Sequence, residues 1–207
     1  QAMADTNAGS TSAGSTDNVF IGKTAGGGTW ADAASNYNIG IGNSVMSAIL
    51  SGALSNVAIG YGAFAAATQG DDNVAIGHGA MNNATTSGKT IAIGRDAAAN
   101  LAAGTDGCIA IGYQALDAAV DSAHYTVAIG QSALGALTTG ASNIGIGYRA
   151  GTAVTTGAHN TVIGYDAFFR ATTLADKNVA IGSSAMSGNF TTNDVDSCII
   201  IGYDAGS

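Results

Sequence analysis

From Asp17 to Gly206 the chain runs in short apolar bursts that each close on Ile-Gly. NVAIGYGAF at Asn56–Phe64 returns as NVAIGHGAM at Asn73–Met81, and again as TVAIGQSAL and NVAIGSSAM. The closing glycines are Gly22, Gly42, Gly60, Gly77, Gly94, Gly112, Gly130, Gly147, Gly164, Gly182 and Gly202. Their period is roughly 18 residues, too short for a unit with one clear strand to bury its own apolar face, so each must stack on its neighbours. The prediction is an all-β chain: a parallel β-solenoid of about eleven coils.

Each column of the repeat carries its own expectation. The residue before the glycine is isoleucine in every unit. The residue two places earlier is Val or Ile in all units but one, where it is Thr161. Alternate β-branched residues predict a strand with one buried face, so ladders of Ile and Val are expected inside. The residues between them, mostly alanine or glycine, are then expected outside. They are Phe20, Gly40, Ala58, Ala75, Ala92, Ala110, Ala128, Gly145, Val162, Ala180 and Ile200. As an apolar stripe on a rod they predict an interface between copies of the chain. Three places after the glycine stands alanine, or Val45 once, expected to be buried where space is tight.

Four places before the glycine stands asparagine in seven units: Asn18, Asn38, Asn56, Asn73, Asn143, Asn160 and Asn178. Asparagine tolerates the left-handed backbone region and closes turns, and stacked copies predict a hydrogen-bonded ladder. The invariant glycine predicts a corner with unusual backbone angles or close approach. Cys108 and Cys198 take the asparagine column five units apart. At about 4.8 Å per coil that is roughly 24 Å, beyond the ~7 Å reach of a disulfide, so both are expected as small substitutes for asparagine. Residues 17–207 form the expected repeat domain, broken off within a repeat, and residues 1–16 an N-terminal cap or cloning remnant.

Composition narrows the classes. Of 207 residues 31 are glycine, none is proline, and all 14 acids are aspartate. Aspartate favours turns over helix interiors, so little helix is expected. A net charge of −8 with six scattered basic residues argues against nucleic acid as a partner. No apolar run has the length of a membrane span, and no secretion signal is visible.

The motifs NVAIGYGAF, NVAIGHGAM and TVAIGQSAL resemble the head repeats of trimeric autotransporter adhesins of the Yersinia type. Similar repeats occur in bacteriophage tail fibres, often with a TTG between cores, as in ALTTGAS at Ala136–Ser142. The resemblance covers about residues 17 to 206. It implies a left-handed parallel β-roll, three copies of which associate side by side around a common axis. It also implies an extracellular place, on a virion tail fibre or a bacterial cell surface, and attachment to a host or cell-surface receptor. The linking segments are longer than in the adhesin heads and no coiled-coil neck follows, which favours the phage-type fibre.

Candidate binding chemistry gathers just after the glycine, where the column reads Lys23, Asn43, Tyr61, His78, Arg95, Tyr113, Gln131, Tyr148, Tyr165, Ser183 and Tyr203. Arg149 and several aspartates follow in the next column. Tyrosines beside hydrogen-bonding groups suit sugars and protein surfaces, which makes a glycan one candidate ligand. Stacked tyrosines equally stabilise a sheet face. Trp30, in GGGTWADAASNY, is either an exposed anchor or a plug for the end of the rod. Asp71 with Asp72, or Asp194 with Asp196, offer carboxylates to calcium but match no known calcium loop; solvated turns are the simpler reading. His78, His124 and His159 lie far apart in coil number. No catalytic residue, metal or cofactor is expected.

Three other classes compete. The coils form a shaft that spaces a separate binding tip; or they bind ice, which needs a flat threonine array that this chain does not repeat evenly. The third is acyl transfer: IGRDAA at Ile93–Ala98 resembles a hexapeptide-repeat transferase unit, but those enzymes carry the hexad three times per coil and this chain once.

Overall fold

The structure, a computed structural model, describes residues 2–4, 14–28, 33–48, 50–118, 121–170, 175–188 and 195–206. Every strand is three residues long. After β1 (Ala2–Ala4) come β2 (Val19–Ile21), β3 (Ile39–Ile41), β4 (Val57–Ile59), β5 (Val74–Ile76), β6 (Ile91–Ile93) and β7 (Ile109–Ile111). β8 (Val127–Ile129), β9 (Ile144–Ile146), β10 (Thr161–Ile163), β11 (Val179–Ile181) and β12 (Ile199–Ile201) complete the sheet. β2 to β12 pair in sequence order, all parallel and all in register, Ala58 beside Ala75 and Ile59 beside Ile76. The chain is therefore a β-solenoid with one strand per repeat and no helix among the described residues. Ten steps of ~4.8 Å make the sheet about 48 Å long. β1 runs antiparallel along the outer edge of β2.

The strands face the opposite way from the expectation. The central small residue points inward: Ala58, Ala75, Ala92, Ala110, Ala128 and Ala180 are fully buried within a single chain, with Phe20 and Val162. Ile200 packs partly buried against the same core. The flanking Val and Ile columns point outward. The interface assigned to the small column is thereby corrected, because those side chains already fill the interior of their own coil. The physical reason is volume. So short a coil encloses a narrow space, and the strand's inward column must be small because another column fills that space.

That other column lies four places after the glycine. Met46, Phe64, Met81, Leu116, Leu134, Phe168 and Met186 are all fully buried there. The interior columns compensate one another in volume. Where this column is Gly26, the Phe20 ring occupies the space, only 2.7 Å from where a Cβ would stand. Leu134 does the same for Gly145 and Gly151, and Ile200 for Gly206. Alanine three places after the glycine is buried as expected, from Ala63 to Ala185.

The corner after the strand explains the invariant glycine. Gly60 has φ 129° and Gly94 φ 135°, a region closed to other residues. A Cβ on Gly60 would sit 2.6 Å from the carbonyl oxygen of Gly77, and one on Gly94 2.6 Å from that of Gly112. The backbone then alternates in hand. Residues two and four places after the glycine have positive φ, as in Asp96 (55°) and Ala98 (50°), or Ser132 (55°) and Leu134 (47°). The alternation points successive N–H groups in opposite directions along the rod. Asp96 N donates to the carbonyl of His78 in the preceding coil, and Ala98 N to that of Ala115 in the following one. Each of these backbone groups thus finds a partner without a helix or a long strand.

Asparagine forms the predicted ladder, but the left-handed residue is its predecessor. Tyr37 (φ 61°), Ser55 (58°), Asp72 (58°) and His159 (60°) take that conformation. The buried amides are fully used. Asn56 Oδ1 accepts from Asn73 N at 3.0 Å and Asn73 Nδ2 at 2.9 Å, and Asn56 Nδ2 donates to Asn38 Oδ1 and to the carbonyl of Gly70. Thr90, Cys108 and Thr126 interrupt the ladder. Cys108 N donates to Thr90 Oγ1 at 3.4 Å, its thiol donates to the carbonyl of Ala123, and the buried Thr126 hydroxyl has no partner among the described residues. Cys108 and Cys198 are both free.

Candidate functional site: the outer faces of the rod

Two surfaces stand out, and both are written by the repeat. The first is the outer face of the sheet. Its two columns, Val or Ile throughout except for Thr161, carry no charge and no amide. Ile59 is 36% exposed and Ile199 reaches 73% at the end of the sheet, with the central members half-buried by their neighbours above and below. The columns run the full ~48 Å and stand two residues apart, about 7 Å. A strip of this length and uniformity is unlike the scattered apolar residues of an ordinary soluble surface.

The second surface is the corner ladder, where neighbours in successive coils stack. The Tyr61 and His78 rings lie 5.2 Å apart and nearly parallel, and Tyr148 and Tyr165 lie 5.1 Å apart likewise. Arg95 lies over Tyr113 at 5.8 Å. Arg149 is the most tightly held. It sits 5.0 Å from the Tyr148 ring and 4.1 Å from the Phe169 ring, and its guanidinium grips Asp166 with two bonds of 2.8 and 2.7 Å. The hydrogen bond to Asp166 raises its pKa above the ordinary arginine value.

The structure thus joins Tyr148, Tyr165 and Arg149 in one cluster and Arg95 with Tyr113 in another. Tyr61 pairs with His78, and Tyr203 stands exposed at the end of the ladder. Trp30 lies outside the described residues, as does Asp194. Sequence reasoning missed Phe169, which holds Arg149. It lies beyond the nonapeptide core, in a column whose identity changes from coil to coil.

The aspartates in the links have a structural task. Asp71 Oδ1 accepts from Leu54 N at 2.8 Å, Asp106 Oδ1 from Gly88 N at 2.6 Å, and Asp176 Oδ1 from Ala158 N at 2.7 Å. Asp196 Oδ1 accepts from Asp176 N in the same way, and His124 Nδ1 from Asp106 N at 3.2 Å. This is a second, interrupted ladder on the edge of the coil, tying several links to the one before. Among the described residues no cluster of three His, Cys or Asp side chains is placed to hold a metal ion.

No family model, curated protein or solved structure matches the chain. The fold assignment accordingly stands on the geometry itself, a one-strand-per-repeat parallel β-solenoid.

Proposed function

We propose that the chain is a non-enzymatic, trimeric fibre or adhesin segment that attaches to a host or cell surface through the outer side chains of its coils. The observation that carries this reading is the uncharged Val/Ile face. An apolar strip repeating every ~4.8 Å over about 48 Å fits a partner of equal length and equal period, and a parallel copy of the same chain has both. Its narrowness supports three copies: two columns per protomer, set around a threefold axis, bring six β-branched side chains together in every layer. Closed cyclic symmetry leaves no strip uncovered.

The trimer leaves the corner ladder as the surface for recognition. Repetition along the fibre supports weak contacts used many times, where avidity exceeds the affinity of any one contact. The exposed tyrosines and the clamped Arg149 offer rigid faces at low entropic cost.

The test is retention of fluorescently labelled chain on intact bacterial and animal cells, set against the variant Ile93→Asp/Ile111→Asp. Saturable retention of the native chain, lost in the variant, supports the reading. Absence of retention on every surface leaves the coils as a shaft that spaces a separate tip.

A further inference from the structure

Beside the corner ladder lies a cleft that the repeat does not call for. Five places after the glycine the chain carries Asp117, Gly135 and Thr152 in three successive coils. An open cleft of about 220 Å³ forms at this level, lined by Gln114, Asp117, Ser132, Gly135, Ala136 and Thr152, and a Cβ on Gly135 would stand 3.2 Å from the carbonyl oxygen of Ser132 and 3.3 Å from that of Gln114.

The polar groups of this cleft differ from those of the ladders. In the asparagine column the buried amides are spent on neighbours. Here the Asp117 carboxylate, the Gln114 amide and the Ser132 hydroxyl take no hydrogen bond from the described residues. Only Asn100 reaches Asp117, and it donates to the backbone carbonyl. The Thr152 hydroxyl donates its one proton to the carbonyl of Arg149 at 2.7 Å, with the Ser132 carbonyl 3.2 Å away, which fixes its rotamer and leaves its oxygen as an acceptor. Burial, and then the charge of Asp96, push the Asp117 carboxyl up from its usual value. A carboxylate that has lost part of its water gains from every hydrogen-bond donor brought to it, and a polyol supplies several at once.

We propose that this cleft is a binding site for a neutral saccharide. Asp117 accepts from adjacent hydroxyls of the sugar, Gln114 donates and accepts, and Ser132 and Thr152 supply oxygens. Ala136 and the bare backbone at Gly135 meet the C–H face of the ring. The chain's charge of −8 and the carboxylate in the cleft disfavour acidic sugars and phosphates. A lone carboxylate amid neutral groups is a poor cation site. The inference rests on the surface-attachment reading for its ligand class and adds to it a place. Tyr113, Gln131 and Tyr148 stand just after the glycine in these same three coils, which puts an aromatic part of the ladder beside the cleft.

The experiment is calorimetric titration of the native chain with maltohexaose, and separately with chitohexaose. Native protein is compared with Asp117→Ala, Gly135→Leu and the distant control Ser183→Ala. Binding of at least one sugar with Kd near 0.1–1 mM, about the range of one small site, is expected. Asp117→Ala weakens it tenfold or more, Gly135→Leu abolishes it and Ser183→Ala leaves it unchanged. Circular dichroism verifies each fold; if Gly135→Leu fails to fold, Asp117→Ala alone decides. Lack of binding by either sugar at concentrations about tenfold above that range, or binding indifferent to Asp117→Ala, overturns the cleft assignment. Retention on cells without sugar binding would remove the saccharide site and leave the fibre reading intact.

Discussion

The two sides of each three-residue strand are both apolar, yet they behave as different materials. Inward, Ala75, Ala92 and Ala110 are sealed in a core they share with Met81, Ala98 and Leu116. Outward, Ile76, Ile93 and Ile111 are partly open to solvent. Hydrophobicity alone would rank them the other way, with isoleucine inside. The difference teaches that in a narrow solenoid volume decides direction. The large β-branched residues lie outside because the coil cannot hold a full column of them, and they leave an apolar face open to solvent.

The comparison can be broken most severely at the corner that sets the coil's width. Gly94→Ala puts a Cβ against the carbonyl of Gly112 at a φ of 135°. It is expected to cost about 3 kcal/mol or more and to lower the thermal midpoint sharply. Asn56→Ala comes next. It removes the acceptor of Asn73 N and Nδ2 and the amide donor of the Gly70 carbonyl, while Asn38 Oδ1 keeps the backbone N–H of residue 56, for about 2–3 kcal/mol in denaturant titration. Ala92→Leu tests the inward side directly, with about 1–3 kcal/mol lost to overpacking. The matched outward change, Ile93→Leu, is expected to leave the stability of the single coil unchanged within about 0.5 kcal/mol. Equal effects from those two would show that the two sides are not distinct. Asp117→Asn has a small effect of the opposite sign. Because burial raises the folded carboxyl's pKa, the native state holds its proton more tightly than the unfolded chain does. The charged form therefore destabilises the fold above that pKa, and the penalty fades as pH falls through it. The asparagine variant should be slightly more stable at neutral pH, with the gain vanishing in acid.

Period, strand position and register were legible in the sequence because they rest on near-invariant letters: Ile before the glycine, Val or Ile two places earlier in every unit but that of Thr161, the glycine itself. The asparagine ladder was legible too, since seven amides at one offset have few other uses. Facing was not legible. An alternation of Val, Ala and Ile is apolar on both sides, so periodicity cannot choose between them. The deciding signal was the Met, Phe and Leu column, present in the quoted nonapeptides as their last letter. Its exchange with Gly26, Ala98 and Gly151 concealed it, and volume compensation by Phe20 and Leu134 becomes visible only in three dimensions. The left-handed residues were hidden in the same way, carried by Met81, Phe64 and Asp96 as well as by glycine. Of the candidate site, the tyrosine column was legible as a ladder, whereas the Gly135 cleft appears only when three coils are stacked.

The central claim is that the outward Val/Ile face is an interface between copies. It is tested most directly by the solution mass of the native chain and of Ile93→Asp/Ile111→Asp, from light scattering after gel filtration. The account predicts a native mass three times the 20.1 kDa of one chain. For the variant it predicts the mass of a single chain, with its circular dichroism retained. A native protein with the mass of one chain, or a variant that keeps the mass of three, would contradict it.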